Sequence, residues 1–189
     1  MKRFSGRFII KSNRVKNWDY STPGNYFVTI CTTDHDNCFG EIIDNKTQYT
    51  VQGKIAIDCL SKIEKHFENI KILESVVMPN HVHILFEVSE PRLKSVETHH
   101  GASLPIKYQS YHFHRLAMKS NQTIPKIISQ YKSSVSRKIG HDVFFGWQPR
   151  YYDVIIRNEK QLLTVKNYII NNIKSWKKDI YFKVHAHEN

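Results

Sequence analysis

Two histidines separated by one apolar residue, His81 and His83, are the residues whose types and spacing most directly suggest chemistry. They begin an apolar run that predicts a β-strand over 81–88. Because successive side chains of a strand point to opposite faces, both imidazoles share a face with Leu85, and the other face is entirely apolar. The apolar face is expected to meet the core, which leaves the imidazoles on the opposite surface. They could provide the first two ligands of a divalent metal ion, or they could be ordinary polar residues on the less buried face of a strand.

Two tyrosines lie within predicted helices, and the apolar stripe of each helix separates their roles. Tyr131 continues the stripe of a helix predicted over 123–139, so it is most simply a core residue. In the last predicted helix Tyr168 is rotated by about 100° from the stripe, and Asn172 follows one turn later on the same flank. A phenol and an amide oxygen therefore point the same way from one helix. Taken alone, this pattern favours an ordinary surface pair, and a joint contribution to a metal site is the second interpretation.

The elements that must position these residues follow from apolar periodicity and from turn and capping signals. Strands are predicted over 26–32, 72–77, 81–88 and 150–157, and helices over 51–70, from the capping residue Thr123 to 139, and after a capping box of Asn158 and Gln161. The order β-α-β-β-loop-α-β-α predicts an α+β fold in which helices pack against a mostly antiparallel sheet.

The chain is long enough for one domain with a substantial core, which we predict over 18–178. A basic amino-terminal arm over 1–17 precedes this domain, and a tail over 179–189 follows it. Periodicity disappears over 89–121, where a long irregular loop is predicted. The histidines of this loop are irregularly spaced and are interpreted as solvated side chains rather than as metal ligands: His99, His100, His112 and His114.

The charge balance favours a polyanionic partner. The sequence has 28 Lys and Arg against 17 Asp and Glu, a formal net charge of +11. Such a surface attracts nucleic acid, and solubility is an equally good reason for it. Aromatic residues interleaved with the basic clusters favour single-stranded nucleic acid, whose bases stack on aromatic rings. Three cysteines without a Cys-x-x-Cys pair, together with the shortness of every apolar run, predict a cytoplasmic protein with no membrane partner.

Four basic residues are candidates for phosphate contacts, and one aromatic residue is a candidate for base stacking. The basic candidates are Arg150 and Arg157 at the ends of the last predicted strand, and Lys132 and Arg137 in the preceding helix. An ordinary surface charge is the alternative for each of them. The stacking candidate is Trp147, whose apolar stretch could equally close the edge of the domain.

Four separated motifs together resemble a known family. They are the run from Asp19 to Thr32, then Met78-Pro79-Asn80-His81-Val82-His83, then Trp147-Gln148-Pro149-Arg150-Tyr151-Tyr152 with Ile156-Arg157-Asn158-Glu159, and finally Tyr168-Ile169-Ile170-Asn171-Asn172. In this order they resemble the HUH single-tyrosine transposases, specifically the REP-associated tyrosine transposase group. The resemblance implies a ferredoxin-like HUH endonuclease fold. It also implies a metal site of His81, His83 and Asn172, with Tyr168 as the nucleophile.

The chemistry implied by the resemblance is cleavage and transfer of single-stranded DNA at or near a hairpin. Tyr168 would form a 5′-phosphotyrosine intermediate and release a 3′-hydroxyl. Mg or Mn is the expected metal, because phosphate and amide ligands are oxygens. Two alternatives stay open: a domesticated protein that binds DNA hairpins without cleaving them, and a metal-dependent nuclease in which water attacks. A nucleoid-associated location is expected, and whether the protein forms a homodimer is left open.

Overall fold

The computed structural model describes residues 18–90, 122–140 and 144–182, together with Val15 and two short strands before it. The strands are β1 (Arg3–Phe4), β2 (Arg7–Phe8), β3 (Gly24–Cys31), β4 (Gly40–Ile43), β5 (Lys46–Tyr49), β6 (Ile70–Val77), β7 (His81–Val88) and β8 (Tyr152–Ile156). The helices are α1 (Val51–Leu60), α2 (Ile63–His66), α3 (Thr123–Ile139) and α4 (Glu159–Asn171), with 3₁₀ turns at Thr33–His35 and Trp176–Lys178. Most of the predicted arm, most of the predicted loop with its four histidines, and residues 183–189 of the predicted tail lie outside the described residues. No helix among the described residues is long and apolar enough to cross a membrane.

The centre of the fold is a four-stranded antiparallel sheet in the order β6-β7-β3-β8. The strand that carries the two histidines, β7, lies inside this sheet between β6 and β3. Its register with β3 places His83 opposite Thr29 and His81 opposite Cys31. At the edge, β8 pairs with β3. Helices pack against this sheet, so the predicted α+β fold class with an antiparallel sheet is confirmed.

One face of the sheet carries the main hydrophobic core. Alternation along β7 places Val82, Ile84 and Phe86 on this face, and each of them is fully buried. Helices α1, α2 and α3 supply the opposite side of the core. Tyr131 of α3 lies in the same core, where its hydroxyl donates to the backbone carbonyl of Ala56 at 3.2 Å. The prediction that Tyr131 is a core residue is therefore confirmed.

A second, smaller apolar cluster lies on the other face, beneath α4. Leu85 of β7 packs there with Ile156 of β8 and Ile169 of α4. Leu162 and Val165, which belong to the predicted stripe of this helix, pack against the same cluster. Because α4 contacts β6, β7 and β8, it crosses the sheet. The sheet is thus covered on both faces around β7.

The helix predicted over 51–70 is shorter than expected. It begins after Thr50, whose side chain caps it by accepting a backbone hydrogen bond, and α1 ends at Leu60. The chain then forms the single turn of α2 and becomes extended at Phe67 (φ −137°, ψ 92°) before β6. The apolar periodicity continues past the helix end because Ile63 and Phe67 still pack on the main core.

The two predicted helix caps have different outcomes. Asn158 caps α4 as expected, because its side-chain oxygen accepts a hydrogen bond from the N–H of Gln161 at 2.9 Å. The capping role of Thr123 is wrong, since this residue is the first of α3 and the cap position belongs to Gln122. The N–H of Thr123 donates to the hydroxyl of Ser21 at 2.9 Å. A segment distant in sequence therefore ties down the start of α3.

The sequence patterns miss a β-hairpin formed by β4 and β5. Its strands are four residues each. Its turn has positive φ at Asp44 (51°) and Asn45 (57°), a conformation that Asp and Asn tolerate well. Strands this short carry too little alternation to be recognised from a pattern. The predicted strands of the central sheet are present, with boundaries that differ from prediction by at most two residues.

Candidate metal and tyrosine site

His81 and His83 lie side by side on one face of β7, as strand alternation predicts. Their burial differs from the expectation of a less buried face, because they are only 0% and 1% exposed. The cover comes from α4 and from the chain that follows it. The rings of Trp176 and Tyr181 in that chain lie 6.0 and 4.7 Å from the His81 ring, measured between centroids. The histidine face is therefore the lining of a covered site.

Hydrogen bonds fix the orientation of the His81 ring. The amide nitrogen of Asn80 donates to the backbone carbonyls of His35 at 3.1 Å and Tyr181 at 2.8 Å. The amide oxygen of Asn80 consequently faces His81 Nδ1 at 2.9 Å. Since an amide oxygen can only accept, His81 Nδ1 carries the ring proton. The lone pair of His81 is left on Nε2, the nitrogen that faces His83.

The His83 ring is held by Thr29 on the neighbouring strand. Thr29 Oγ1 lies 2.8 Å from His83 Nδ1, and a hydroxyl can donate or accept there. The Nε2 atoms of the two histidines are 3.0 Å apart. Burial lowers the pKa of His83 to about 4 and the pKa of His81 well below its ordinary value. Both imidazoles are therefore neutral at neutral pH, which is the form that binds a metal ion.

Tyr168 projects from α4 toward the same histidines. Its hydroxyl lies 3.2 Å from His83 Nε2 and donates to the carboxylate of Asp179 at 3.1 Å. Its ring stands edge-on to Phe27, with centroids 6.1 Å apart, and the residue is 40% exposed. Burial and the charge of Asp179 raise the pKa of Tyr168 to about 12. The phenol is thus close to the imidazoles, accessible to solvent, and protonated at neutral pH.

Asn172 lies one helical turn beyond Tyr168, and the structure brings it to the same place. It is the C-cap residue of α4 and is 1% exposed. Its amide nitrogen donates to Asp179 Oδ2 at 3.0 Å. Its amide oxygen is buried and has no hydrogen-bond partner among the described residues. A buried oxygen without a partner is costly, so this atom fits the role of a metal ligand.

Asp179 is the site residue that the sequence analysis misses. Its carboxylate and the two imidazoles offer three ligand atoms that all lie within 4.8 Å of one another. The N–H of Tyr181 donates to its Oδ1 at 2.8 Å and fixes the orientation of the group. Asp179 follows the 3₁₀ turn at Trp176–Lys178, in the segment predicted as a tail, where no periodicity indicates where a side chain points. The one available signal is a carboxylate placed shortly after the helix that carries the phenol.

The assembled groups are two imidazole nitrogens, a carboxylate oxygen and an amide oxygen. This donor set fits a divalent metal ion, since imidazole suits transition metals and the oxygen ligands suit Mg or Mn. The unpartnered amide oxygen of Asn172 supports that fit. The arrangement can therefore hold a cation beside a phenol.

The two arginines predicted at the ends of the last strand lie at different distances from this site. Tyr152, the first residue of β8, pairs with Thr29, which in turn pairs with His83. Arg150 is exposed just before this point, at the histidine end of the sheet. Arg157 is exposed just beyond the other end of β8, and its backbone lies roughly 16 Å from that of Tyr152 along the strand. Arg150 therefore lies at the same end of the sheet as the histidines, where Lys132 of α3 bonds its backbone carbonyl, and Arg157 lies at the opposite end.

Of the other three candidates for DNA contact, Lys132 and Trp147 are engaged in contacts within the protein, and Arg137 lies on the far side of the sheet from the histidines. The ammonium group of Lys132 donates to the backbone carbonyls of Gln148 at 2.7 Å and Arg150 at 2.8 Å. The indole of Trp147 donates to the carbonyl of Lys132 at 3.2 Å and packs against the main core, which favours its role in closing the domain edge. Arg137 is exposed on α3, which covers the opposite face of the sheet. A DNA contact through any of these three residues stays a prediction.

Comparisons with known proteins concern the fold and the family. No protein-family model matches the sequence. The solved structure of a REP-associated tyrosine transposase bound to a REP hairpin superposes with a TM-score of 0.50 and 18% identity, over 92% of this chain and 74% of that one. This likeness shows a shared transposase-like fold. A Haemophilus influenzae protein of uncharacterized function is 33% identical over 172 residues, which cover 89% of this chain and 91% of that protein. The chain belongs to the same family as this Haemophilus influenzae protein.

Proposed function

We propose that this chain is a transposase-type enzyme that cuts and rejoins single-stranded DNA through a covalent link to Tyr168. The observation that carries the proposal is the position of the Tyr168 hydroxyl, 3.2 Å from His83 Nε2 and beside the donor set of a cation site. Burying imidazole, carboxylate and amide groups costs free energy that apolar side chains of similar size would not cost. The arrangement therefore favours a functional site over a packing role.

His81, His83 and Asn172 would hold the divalent metal ion, as the sequence resemblance implies. Asp179 offers a further oxygen beside them, which only the structure brings to the site. We propose Mg or Mn as the metal, because oxygen ligands and a phosphate favour these ions. When bound, the ion would offset negative charge on a phosphate oxygen and favour the phenolate over the phenol.

The reacting atom on this chain would be Tyr168 Oη. It would attack phosphorus and form a phosphotyrosine ester at the 5′ side, while the bond to the 3′-oxygen breaks and that oxygen leaves as a 3′-hydroxyl after taking a proton from solvent. The phenolic proton already points to the Asp179 carboxylate, which is placed to take it as the new bond forms. Attack of a 3′-hydroxyl on the ester would restore the DNA strand and return the phenol, with no energy input from ATP.

We further propose DNA with a hairpin as the substrate. Two observations support this choice: the transposase of similar fold was solved with a REP hairpin, and the net charge of this chain is +11. Arg150, exposed at the histidine end of the sheet, is the residue that we assign to a phosphate contact. A cytoplasmic, nucleoid-associated location follows from a DNA substrate, and a homodimer stays an open prediction.

The direct test is to incubate the protein with labelled hairpin DNA and Mn, and to look for a protein–DNA adduct that survives denaturation. The wild-type protein is expected to form the adduct, and Tyr168→Phe is expected to form none. Tyr152→Phe is the matched control, because Tyr152 is also an exposed tyrosine on the same side of the sheet. The control is expected to keep the adduct.

Each other outcome contradicts the proposal in its own way. Cleavage without an adduct would favour a nuclease in which water attacks. Binding without cleavage would favour a protein that only recognises hairpins. An adduct that persists in Tyr168→Phe and disappears in Tyr152→Phe would place the nucleophile on strand β8 instead of helix α4.

A further inference from the structure

A groove adjoins the proposed site on the far side of Trp176. It has a volume of about 780 Å³, which is within the range of ligand-binding clefts. One wall is the segment 173–178, which follows α4 and includes the 3₁₀ turn, and the other wall is the β4–β5 hairpin. Trp176 separates the groove from the histidines, with its ring 6.0 Å from that of His81. The groove and the candidate site are therefore neighbours, with one buried side chain between them.

Three lysines line the helical wall of the groove: Lys174, Lys177 and Lys178. All three are exposed, and within the described part of the chain none of them forms an ion pair with a carboxylate. The lysines on the opposite side of the molecule differ in this respect, because Lys62 and Lys138 both pair with Asp58. No carboxylate of the described residues compensates the groove lysines, so they can attract an external anion.

The opposite wall has a different chemistry. The hairpin contributes the carboxylates of Glu41 and Asp44 and the amide of Asn45. These groups would weaken binding of a simple anion, but carboxylates and amides hydrogen-bond well to the amino and imino groups on base edges. One cationic wall and one hydrogen-bonding wall match the two sides of an unpaired nucleotide strand, which presents phosphates on one side and base edges on the other.

Apolar side chains from both walls complete the lining of the groove. Ile43 is 43% exposed there, and the ring of Phe182 packs against Trp176 with centroids 5.4 Å apart. Apolar and aromatic side chains bind the faces of unstacked bases, which a duplex does not offer. These apolar groups therefore favour a single strand over a double helix.

We propose that this lysine groove binds the single-stranded DNA that continues from the scissile phosphate, with Lys174, Lys177 and Lys178 on its phosphates. The identity of the strand rests on the proposed function, whereas the binding of an unpaired strand can be tested without cleavage. The groove would hold the substrate on one side of the cut while Tyr168 reacts.

The test measures binding of fluorescent hairpin oligonucleotides by anisotropy over a range of salt concentrations, without divalent metal. The hairpins carry a single-stranded DNA extension at the 5′ end, at the 3′ end, or at neither end. The variant is Lys174→Gln, Lys177→Gln and Lys178→Gln together. The control variant is Lys62→Gln, Lys65→Gln and Lys138→Gln, which removes the same charge from the opposite side of the molecule.

For one of the extended hairpins, the groove variant is expected to lower the slope of log affinity against log salt by about 2, the loss of three contacts to a single strand. Its affinity for the blunt hairpin and every affinity of the control variant are expected to stay within twofold of wild type. Equal losses on blunt and extended hairpins, or a wild-type slope in the groove variant, would each overturn the proposal. If the wild-type protein forms no adduct but the groove variant shows the expected slope change, the proposed function fails and the groove proposal stands.

Discussion

The two faces of β7 are equally buried and chemically opposite. On one face Val82, Ile84 and Phe86 lie in an apolar core beneath three helices. On the other, His81 and His83 lie beneath a single helix and the chain that follows it, and each ring has a polar partner on Nδ1. Apolar side chains need only to be packed, whereas buried imidazoles lose hydration and depend on such partners.

The covers of the two faces differ as well. The helices over the apolar face close it completely, while α4 leaves the phenol of Tyr168 40% exposed beside two nearly inaccessible histidines. Burial therefore has a different effect on each face of β7. On the apolar face it contributes stability, and on the histidine face it keeps imidazoles neutral beside an opening to solvent.

Removing both imidazoles is expected to have the largest effect, because it changes both Mn binding and formation of the DNA adduct. In His81→Gln/His83→Gln the ligands are lost at similar side-chain volume, so binding of Mn and formation of the DNA adduct are expected to disappear. Thermal unfolding with and without Mn measures the loss: at an Mn concentration about 100 times the dissociation constant, wild type should gain about 2.7 kcal/mol and the variant nothing. His66→Gln is the control, because the His66 side chain is exposed on α2. An equal gain in the double variant would place the metal elsewhere.

The apolar face is expected to respond in stability alone. Ile84→Ala leaves a cavity in the main core and should lower the free energy of unfolding by about 2–5 kcal/mol in urea denaturation. The additional stabilisation by Mn should match that of wild type, since the two faces share no side chain. A loss of Mn binding in this variant would show that the faces are coupled.

Acid is expected to destabilise the protein through the histidine face. Because burial lowers the pKa of His83 from 6.5 to about 4, the unfolded chain binds more protons than the folded chain between these pH values. The free energy of unfolding should therefore fall by about 3 kcal/mol from this residue as pH decreases from 6.5 to 4 without metal. Denaturation across this window should show a weaker pH dependence in His83→Gln. An unchanged pH dependence would mean that His83 titrates normally in the folded protein.

A smaller effect on Mn affinity is expected from Asp179, whose carboxylate lies beside both the histidines and Tyr168. Asp179→Asn keeps the shape of the side chain and removes its charge, so Mn affinity measured by calorimetry should fall by about tenfold. The pKa of Tyr168 should also fall, because the charge of Asp179 helps to raise it. Ultraviolet titration, with Asp179→Asn/Tyr168→Phe as the reference, isolates this phenol. Unchanged Mn affinity together with an unchanged phenol pKa would show that Asp179 serves neither group.

The features that sequence patterns predict well are those with a strong local period. The bounds of β7 agree with prediction because every second residue from Val82 to Val88 is apolar and faces the main core. The rotation of Tyr168 and Asn172 away from the apolar stripe of α4 is likewise local geometry, and the structure places both side chains near the histidines. Their roles in catalysis and metal binding stay proposals that the resemblance first suggested.

The features that patterns miss depend on distant parts of the chain. Nothing in the alternation of β7 indicates that α4 and the chain after it cover the imidazoles. Asp179 reaches the site through a 3₁₀ turn after α4, and its position depends on how that turn packs against His81. Likewise, Lys132 and Trp147 are ordinary basic and aromatic residues in the sequence, and only the folded chain shows their backbone and core partners.

The covalent link to Tyr168 is tested most sharply by mass spectrometry of the protein–DNA adduct after nuclease and protease digestion. We expect a nucleotide linked through phosphate to the peptide that contains Tyr168, formed only with divalent metal and absent from His81→Gln/His83→Gln. A phosphotyrosine at Tyr152 or Tyr181, or cleaved DNA with no linked peptide, would contradict it.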